Sequence, residues 1–334
     1  MPNKLLKAAT FFVLFVSCVS LFAHDLYLMP VKFEIREGDI LQVVLNNGDS
    51  FPESEMSPVL DRVRGVKLIS ATGATPVEKL RVNGKRVQGE VVIPKGGSFM
   101  LVAQTVPNAF VLPPKEFNGY LKEEGLRSVI EWRKNHAATQ KPGRERYSKF
   151  AKSLLSAGGS HKLHTLPSGL DIEIVPEESP YDVKAGESLP VRVLFRGRPL
   201  ADAQIETSWA GANGANRTSV VGRTDAQGRI DILLSAAGKW RIHTVWMEEC
   251  PDKQVADWQS FWASLTFENE AAISALSLTK AASGGHNKNA SFDDLKRYRK
   301  QTVPEWRNWQ TRQLQELVPA REWRFESSFG HQPF

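Results

Sequence analysis

Apolar and polar residues alternate in short stretches through the first hundred or so residues of the chain after its N-terminal apolar run. Alternation with a period of two is typical of strands that bury one face of a sheet. The strands predicted in this segment are 32–35, 40–45, 66–69, 89–93 and 99–104. Breaks rich in Gly, Pro and Asn separate them at 46–48, 83–84 and 94–97. This spacing predicts an antiparallel β-sandwich over residues 24–113.

The apolar spacing becomes helical after Pro114. Residues 114–136 place apolar side chains three and four positions apart, with Gly125 as a predicted kink. A second helix is predicted over 144–155, ending at Gly158-Gly159. Residues 114–169 are therefore predicted to form a helical insertion or bridge.

Strand patterns resume after Leu170, at 171–175, 189–195, 204–209, 229–234, 239–246 and 262–267. The connections at 196–203 and 224–229 are of the hairpin type, because Gly or Asp relieves backbone strain there. Their motifs, G-x-P-L-x-x-A and T-D-x-x-G, resemble those of small immunoglobulin-like or transthyretin-like sandwiches. The predicted fold class is mostly β, with a second antiparallel sandwich over residues 170–268.

The first 23 residues have the pattern of a secretory signal peptide: Lys4 and Lys7, a short apolar run, and Ala23 before a polar start. Cleavage after Ala23 would make His24 the first mature residue and lower the formal net charge from +6 to +4. We therefore predict a periplasmic or otherwise exported protein with no membrane span in its mature form. A retained N-terminal anchor, or a lipoprotein anchored at Cys18, is an open alternative.

The cysteines and the charge exclude some classes of protein. Cys250 is the single cysteine outside the signal, so no intrachain disulfide is expected in the mature chain. The mild positive charge requires no nucleic-acid partner. The sequence contains no G-x-S-x-G, H-E-x-x-H, P-loop or dinucleotide motif, so we predict that the protein is not an enzyme.

Residues 269–334 lose the strand pattern and begin with a linker-like composition. The end of the chain resembles a translated leucine tRNA gene, because 306–312 and 324–327 can be back-translated into its acceptor, D-arm and T-arm sequences. The three tryptophans of this tail are therefore not interpreted as a ligand platform. The alternative is an aromatic and basic nucleic-acid arm, and sequencing the gene locus distinguishes the two.

His24 is the leading candidate for a binding site. As a mature N-terminus it would offer an α-amine and an imidazole, both of which can be neutral nitrogen donors near neutral pH. Asp25, Asp49 and Glu53 could add oxygen ligands. This set predicts a transition-metal site for Ni²⁺ or Cu²⁺.

The other histidines and the cysteine carry weaker signals. His161 and His164 are three residues apart in a predicted loop, which favours surface positions over a metal site. His243 lies in an alternating strand and is expected to be solvated or hydrogen-bonded, and Cys250 lacks metal-type spacing. The sequence leaves open whether any of these four side chains approaches His24.

Five segments carry a resemblance to a known family: 23–28, 120–126, 142–152, 194–200 and 256–267. Together they resemble an exported bacterial family with a domain of unknown function, often described as similar to the NikM component of nickel uptake. The resemblance implies a metal-related role and a transport component of the envelope as a possible partner. In two places the chain departs from this pattern: Asp49 stands where wider relatives carry a histidine, and Trp246 stands where close relatives carry a histidine before Met247.

Three hypotheses follow from the sequence. The first is a periplasmic metal-binding or metal-uptake accessory protein that uses His24. The second is a non-catalytic structural or interaction module of the cell envelope. The third is a copper oxidase with an N-terminal histidine brace, which would need a second histidine, one of His161, His164 and His243, beside His24.

The predicted signal cleavage is directly testable. Mass spectrometry of protein from the envelope fraction should find His24 as the first residue with an unmodified amine. A diacylated Cys18 would show instead that the protein is a lipoprotein, and the α-amine of His24 would then not exist.

Overall fold

The computed structural model describes residues 24–269, which form three β-sheets and two short helices. The strands are β1 Leu26–Leu28, β2 Ile40–Asn47, β3 Val63–Ser70, β4 Gly73–Pro76, β5 Glu78–Asn83, β6 Arg86–Val92, β7 Ser98–Thr105, β8 Asn108–Leu112, β9 Gly143–Ser156, β10 Ile172–Pro176, β11 Ser188–Phe195, β12 Arg198–Pro199, β13 Gln204–Ala210, β14 Asn216–Arg223, β15 Arg229–Leu233, β16 Gly238–Glu249 and β17 Trp258–Asn269. The helices are α1 Pro114–Glu123 and α2 Arg127–Asn135, and 3₁₀ turns cover Leu60–Arg62 and Lys162–Thr165. The mostly β prediction is confirmed.

The largest sheet has nine strands in the order β14-β13-β16-β17-β9-β7-β3-β4, with β8 paired to β9. Its central pair, β9 and β17, is parallel, and the other pairs are antiparallel. Strands of both predicted sandwiches therefore share one sheet, which we call the central sheet. The division into two immunoglobulin-like domains stays a prediction.

Both faces of the middle of the central sheet are covered, whereas its edge strand β14 is mostly exposed. A four-stranded sheet, β1-β2-β6-β5, packs on one face, and a second one, built from β10, β11, β12 and β15, packs on the other. Helices α1 and α2 cover a further part of the face on which β1-β2-β6-β5 packs. They lie against aromatic side chains of β9 and β17 and against Val245 and Met247 of β16. No helix in residues 24–269 has the length and apolarity needed to cross a membrane.

The prediction of a helix over 144–155 is wrong, because this segment is the fourteen-residue strand β9. Phe150 and Leu154 pack in the core on one face, while Ala151 and Leu155 pack in the core on the other. Neighbouring residues are apolar because both faces are buried, and such pairs imitate helical spacing.

The helix predicted over 114–136 is present as the two helices α1 and α2. They meet at Gly125, whose φ of 63° lies in the left-handed region that favours glycine. The predicted kink is thus a full break between two helices.

Helix α1 packs on β9 through Phe117 and Gly143. A Cβ added at Gly143 would lie 2.0 Å from Cγ of the fully buried Phe117 ring, so this close approach requires glycine. Gly119 lies on the same helix, and a Cβ added there meets no atom within 4 Å.

We therefore expect Gly143→Ala to lower the free energy of unfolding by about 1–3 kcal/mol through overpacking. The matched control Gly119→Ala should raise it by about 0.5–1 kcal/mol, since alanine favours helix. Urea unfolding followed by circular dichroism measures both. Equal stability of the two variants would contradict this packing.

Candidate functional site

The segment from His24 to Leu28 forms the edge of the sheet β1-β2-β6-β5, next to the central sheet. One edge of β1 pairs with β2, and on the other side alternate carbonyl oxygens accept hydrogen bonds from buried side chains. These bonds run from Lys149 Nζ to His24 O, from Ser264 Oγ to Leu26 O at 2.7 Å, and from Thr266 Oγ1 to Leu28 O at 2.6 Å. His24 is thereby held in a fixed position just before β1, and only 8% of its surface is exposed.

The imidazole of His24 faces two carboxylates. Its Nδ1 lies 2.8 Å from Asp49 Oδ2 and 3.3 Å from Glu55 Oε2. Among the described residues, these three form the one group of three or more potential metal-ligating side chains whose ligand atoms all lie within 4.8 Å of one another. We call His24, Asp49 and Glu55 the His24 cluster.

The loop after β2 supplies both carboxylates and is held by its own hydrogen bonds. Gly48 N donates to Asp25 O at 2.9 Å, and Glu55 N donates to Asn47 O at 3.0 Å. An added Cβ at Gly48 would lie 2.8 Å from Glu55 N, so glycine permits this close turn. Ser50 donates to Glu55 Oε1 from its hydroxyl and from its backbone N–H, and the hydroxyl contact above all lowers the pKa of Glu55. Oε2 of Glu55 is left to face His24.

A buried network of charges lies behind the His24 cluster. The carboxylate of Asp25 accepts from Arg241 Nη1 at 2.9 Å and from His243 Nδ1 at 2.9 Å, and His243 Nε2 donates to Glu124 Oε2 at 3.2 Å. Burial alone would raise the pKa of Asp25, but His243 and Arg241 outweigh it and lower it to about 2. Burial alone would lower the pKa of His243, but Asp25 and Glu124 outweigh it and raise it to about 10. The network therefore joins the residue after α1, the residue before β1 and strand β16 through an imidazolium.

Two further ionisable groups lie in the same layer. Burial lowers the pKa of Lys149 to about 8 and raises the pKa of Glu145 to about 8. Glu145 Oε1 accepts hydrogen bonds from Tyr120 and Ser260, whereas its Oε2 has no hydrogen-bond partner among the described residues. Lys149 Nζ also lies 3.3 Å from Asn47 Oδ1, which ties it to the strand before the loop.

Two of the four ligands predicted from the sequence come together and two do not. His24 and Asp49 are in contact, whereas the carboxylate of Asp25 faces Arg241 and His243. Glu53 is exposed and pairs with Arg86 at 2.6 Å. Sequence reasoning missed Glu55, although its position in the same acidic loop was a usable signal.

The remaining candidates are engaged elsewhere. His161 contacts Asp182 and Ser156, and His164 donates to Leu155 O and accepts from Ser179. Burial lowers the pKa of His164 to about 4. Cys250 is buried, with Sγ 3.4 Å from Asp252 O. The His24 cluster contains none of His161, His164, His243 and Cys250, so the second histidine that a brace needs is absent from it.

Sequence reasoning also missed the buried partners Arg241, Lys149 and Glu124. Lys149 lies in the segment that was predicted as a helix, and Glu124 lies in the other predicted helical segment, beside Gly125. Arg241 lies in a predicted strand, and a period-two pattern does not distinguish a buried arginine from a solvated one. The predicted tail and signal peptide lie outside the described residues.

The fold and site together define a mostly β protein in which a histidine just before the first strand faces two carboxylates of the loop after the second strand. The chain belongs to a family described as a domain of unknown function, DUF4198, whose profile matches residues 21–248. No curated protein matches the chain.

Similarity to solved structures is distant. A DUF4785 family protein from Legionella pneumophila has 10% identity and a TM-score of 0.21, over 65% of this chain and 51% of that one. Three N-terminal domains of the bacteriophage RB49 Highly Immunogenic Outer Capsid protein have 12% identity and a TM-score of 0.16, over 73% and 59%. Salmonella alpha-2-macroglobulin reacted with methylamine has 10% identity and a TM-score of 0.18, over 72% and 16%. The chain thus spans about half of the Legionella protein, and none of these likenesses carries a functional argument.

The raised pKa of His243 predicts its charge state. An unfolded histidine titrates near 6.5, so the stability from the folded imidazolium is full below that pH and is lost as pH rises toward 10. We expect the His243 ring signals in NMR to stay those of an imidazolium from about pH 6 to about pH 8, where ordinary histidines titrate. Titration of His243 within this range would refute the assigned network.

Proposed function

We propose that this protein is an exported, periplasmic metal-binding or metal-uptake accessory protein that binds Ni²⁺ or Cu²⁺ through the His24 cluster. The observation that carries the proposal is the placement of His24 Nδ1 opposite the carboxylates of Asp49 and Glu55. One imidazole nitrogen and two carboxylate oxygens form a mixed donor set that suits borderline transition metals. The resemblance to a family described as similar to a nickel-uptake component favours the same chemistry.

The identity of the facing nitrogen supports a chelate at the N-terminus. A metal held by Nδ1 and by the α-nitrogen of the same histidine closes a six-membered ring, which Nε2 is too far away to close. Nδ1 is the nitrogen that faces the carboxylates. If the signal is cleaved after Ala23, His24 would supply two nitrogen donors without the ordering cost of a second side chain.

The buried charged groups behind the His24 cluster are paired with one another. Asp25 is neutralised by Arg241 and His243, and His243 is in turn paired with Glu124. The carboxylates of Asp49 and Glu55 instead face His24, so they are the negative charges that a cation bound beside His24 would meet.

A second candidate function rests on the same contacts. His24 Nδ1 contacts Asp49 and Glu55 without a metal, as it would in a purely structural set of polar contacts. This favours the non-catalytic structural or interaction module of the cell envelope. The presence or absence of metal binding separates the two functions.

Calorimetric titration of correctly processed protein with Cu²⁺ and Ni²⁺ tests the proposal. We expect binding tighter than about 10 μM, equivalent to about −7 kcal/mol. His24→Ala and a Gly-Ser extension before His24 should both weaken binding, because one removes the imidazole and the other converts the amine into an amide. Affinity should also fall toward acid pH, because nitrogen ligands must be deprotonated.

Glu55→Gln and Glu53→Gln form a matched pair in the same loop. Glu55→Gln should weaken Cu²⁺ binding, whereas Glu53→Gln should leave it unchanged because Glu53 pairs with Arg86. Cu²⁺ binds tightest at most sites whatever the native metal, so selectivity has to be judged by competition between metals. Equal binding by all variants, or no binding by wild type, would rule out the metal site and leave the interaction module.

A further inference from the structure

The two halves of the His24 cluster come from different parts of the chain. His24 precedes β1, whereas Asp49 and Glu55 lie in the loop after β2. Their relative position therefore depends on whatever holds the loop against the start of β1. A side chain of the central sheet contacts both the loop and the residue after His24.

That side chain is Arg241 of β16, of which 1% is exposed. Its Nη1 donates to Asp25 Oδ2 at 2.9 Å and to Gly48 O at 3.1 Å. Its Nη2 donates to Ser208 Oγ at 2.9 Å and lies 3.5 Å from Asp49 O. The guanidinium thus binds the residue after His24 and the backbone of Gly48 and Asp49.

Two aromatic rings contact the guanidinium. Its central carbon lies 5.2 Å from the centroid of Tyr27 and 5.7 Å from the centroid of Phe51. Tyr27 belongs to β1 and Phe51 to the loop, and the two rings are 5.6 Å apart. The cation–π contacts of Arg241 therefore join β1 and the loop after β2, the same two segments that its hydrogen bonds join.

We propose that Arg241 is a positioning residue of the metal site: its guanidinium sets the distance between His24 and the carboxylates of the loop. The inference rests on the proposed function of the His24 cluster. A positive charge near a cation site would by itself oppose binding, so its contribution must be geometric, and Asp25 compensates the charge. Lysine could keep this charge, but it presents its donors from a single nitrogen and cannot replace the planar fork.

Arg241→Lys separates charge from geometry. We expect it to weaken Cu²⁺ binding by about 10–100-fold, as loss of a residue that orients metal ligands commonly does. The electron paramagnetic resonance spectrum of the Cu²⁺ complex should also change, because a displaced loop alters the ligand set. In metal-free protein, amide hydrogen exchange at Gly48 and Glu55 should become faster relative to amides of β17.

Arg133→Lys is the matched control. Arg133 is also buried, stacks on Phe117 at 4.9 Å, and donates to Asn118 Oδ1 and Lys141 O. It lies on α2, outside the His24 cluster and the network behind it. Arg133→Lys should lower stability yet leave the Cu²⁺ affinity, the spectrum and the exchange of the loop as in wild type.

The outcomes are distinct. If Arg241→Lys folds and keeps wild-type affinity and spectrum, or if Arg133→Lys changes them equally, the positioning role is overturned. If Arg241→Lys does not fold, Ser208→Ala, which removes one acceptor of the guanidinium, should show the same changes in smaller degree, and their absence overturns the proposal. If wild type binds no Cu²⁺, the proposed function fails, and the exchange at Gly48 and Glu55 alone decides whether Arg241 positions the loop.

Discussion

The structure depends on the burial of the central sheet on both faces. Strands β9, β16 and β17 lie between two smaller sheets and a pair of helices, so none of their side chains in the middle of the sheet reaches water freely. Polar side chains on these strands are therefore stabilised by partners inside the protein, although Glu145 Oε2 has no hydrogen-bond partner among residues 24–269. The carbonyls of β1 and the loop after β2 provide several of them.

Because the central strands are buried, their charged side chains form ion pairs inside the protein. Lys152 and Glu173 form an ion pair at 3.0 Å with 1% and 2% of their side chains exposed, and Asp25 and Arg241 form another at 2.9 Å with 6% and 1% exposed. Removing one partner of such a pair commonly costs about 3–5 kcal/mol, because the remaining charge stays buried and unpaired. Each pair joins two segments: Lys152 of β9 to Glu173 of β10, and Asp25 before β1 to Arg241 of β16.

The same constraint locates the proposed site. Buried donors on β9, β16 and β17 hold the first strand and the loop in place, so His24 meets Asp49 and Glu55 at the rim of a rigid layer. Ligands held by such a support lose little freedom when a metal binds. The network of Asp25, Arg241 and His243 is in this view a support for the site and not a part of it.

The sequence by itself predicted the mostly β fold, the helical segment around Gly125, and His24 and Asp49 as candidate metal ligands. These predictions rest on alternation, glycine turns and residue chemistry, which are local properties. Tertiary structure alone decided that 144–155 is a strand, since burial on two faces imitates helical spacing. It also decided that Glu55 rather than Glu53 or Asp25 joins His24, and that Arg241 connects the two segments. These outcomes depend on contacts between residues about 25 to 200 positions apart, and side-chain directions at such separations follow from packing and not from local pattern.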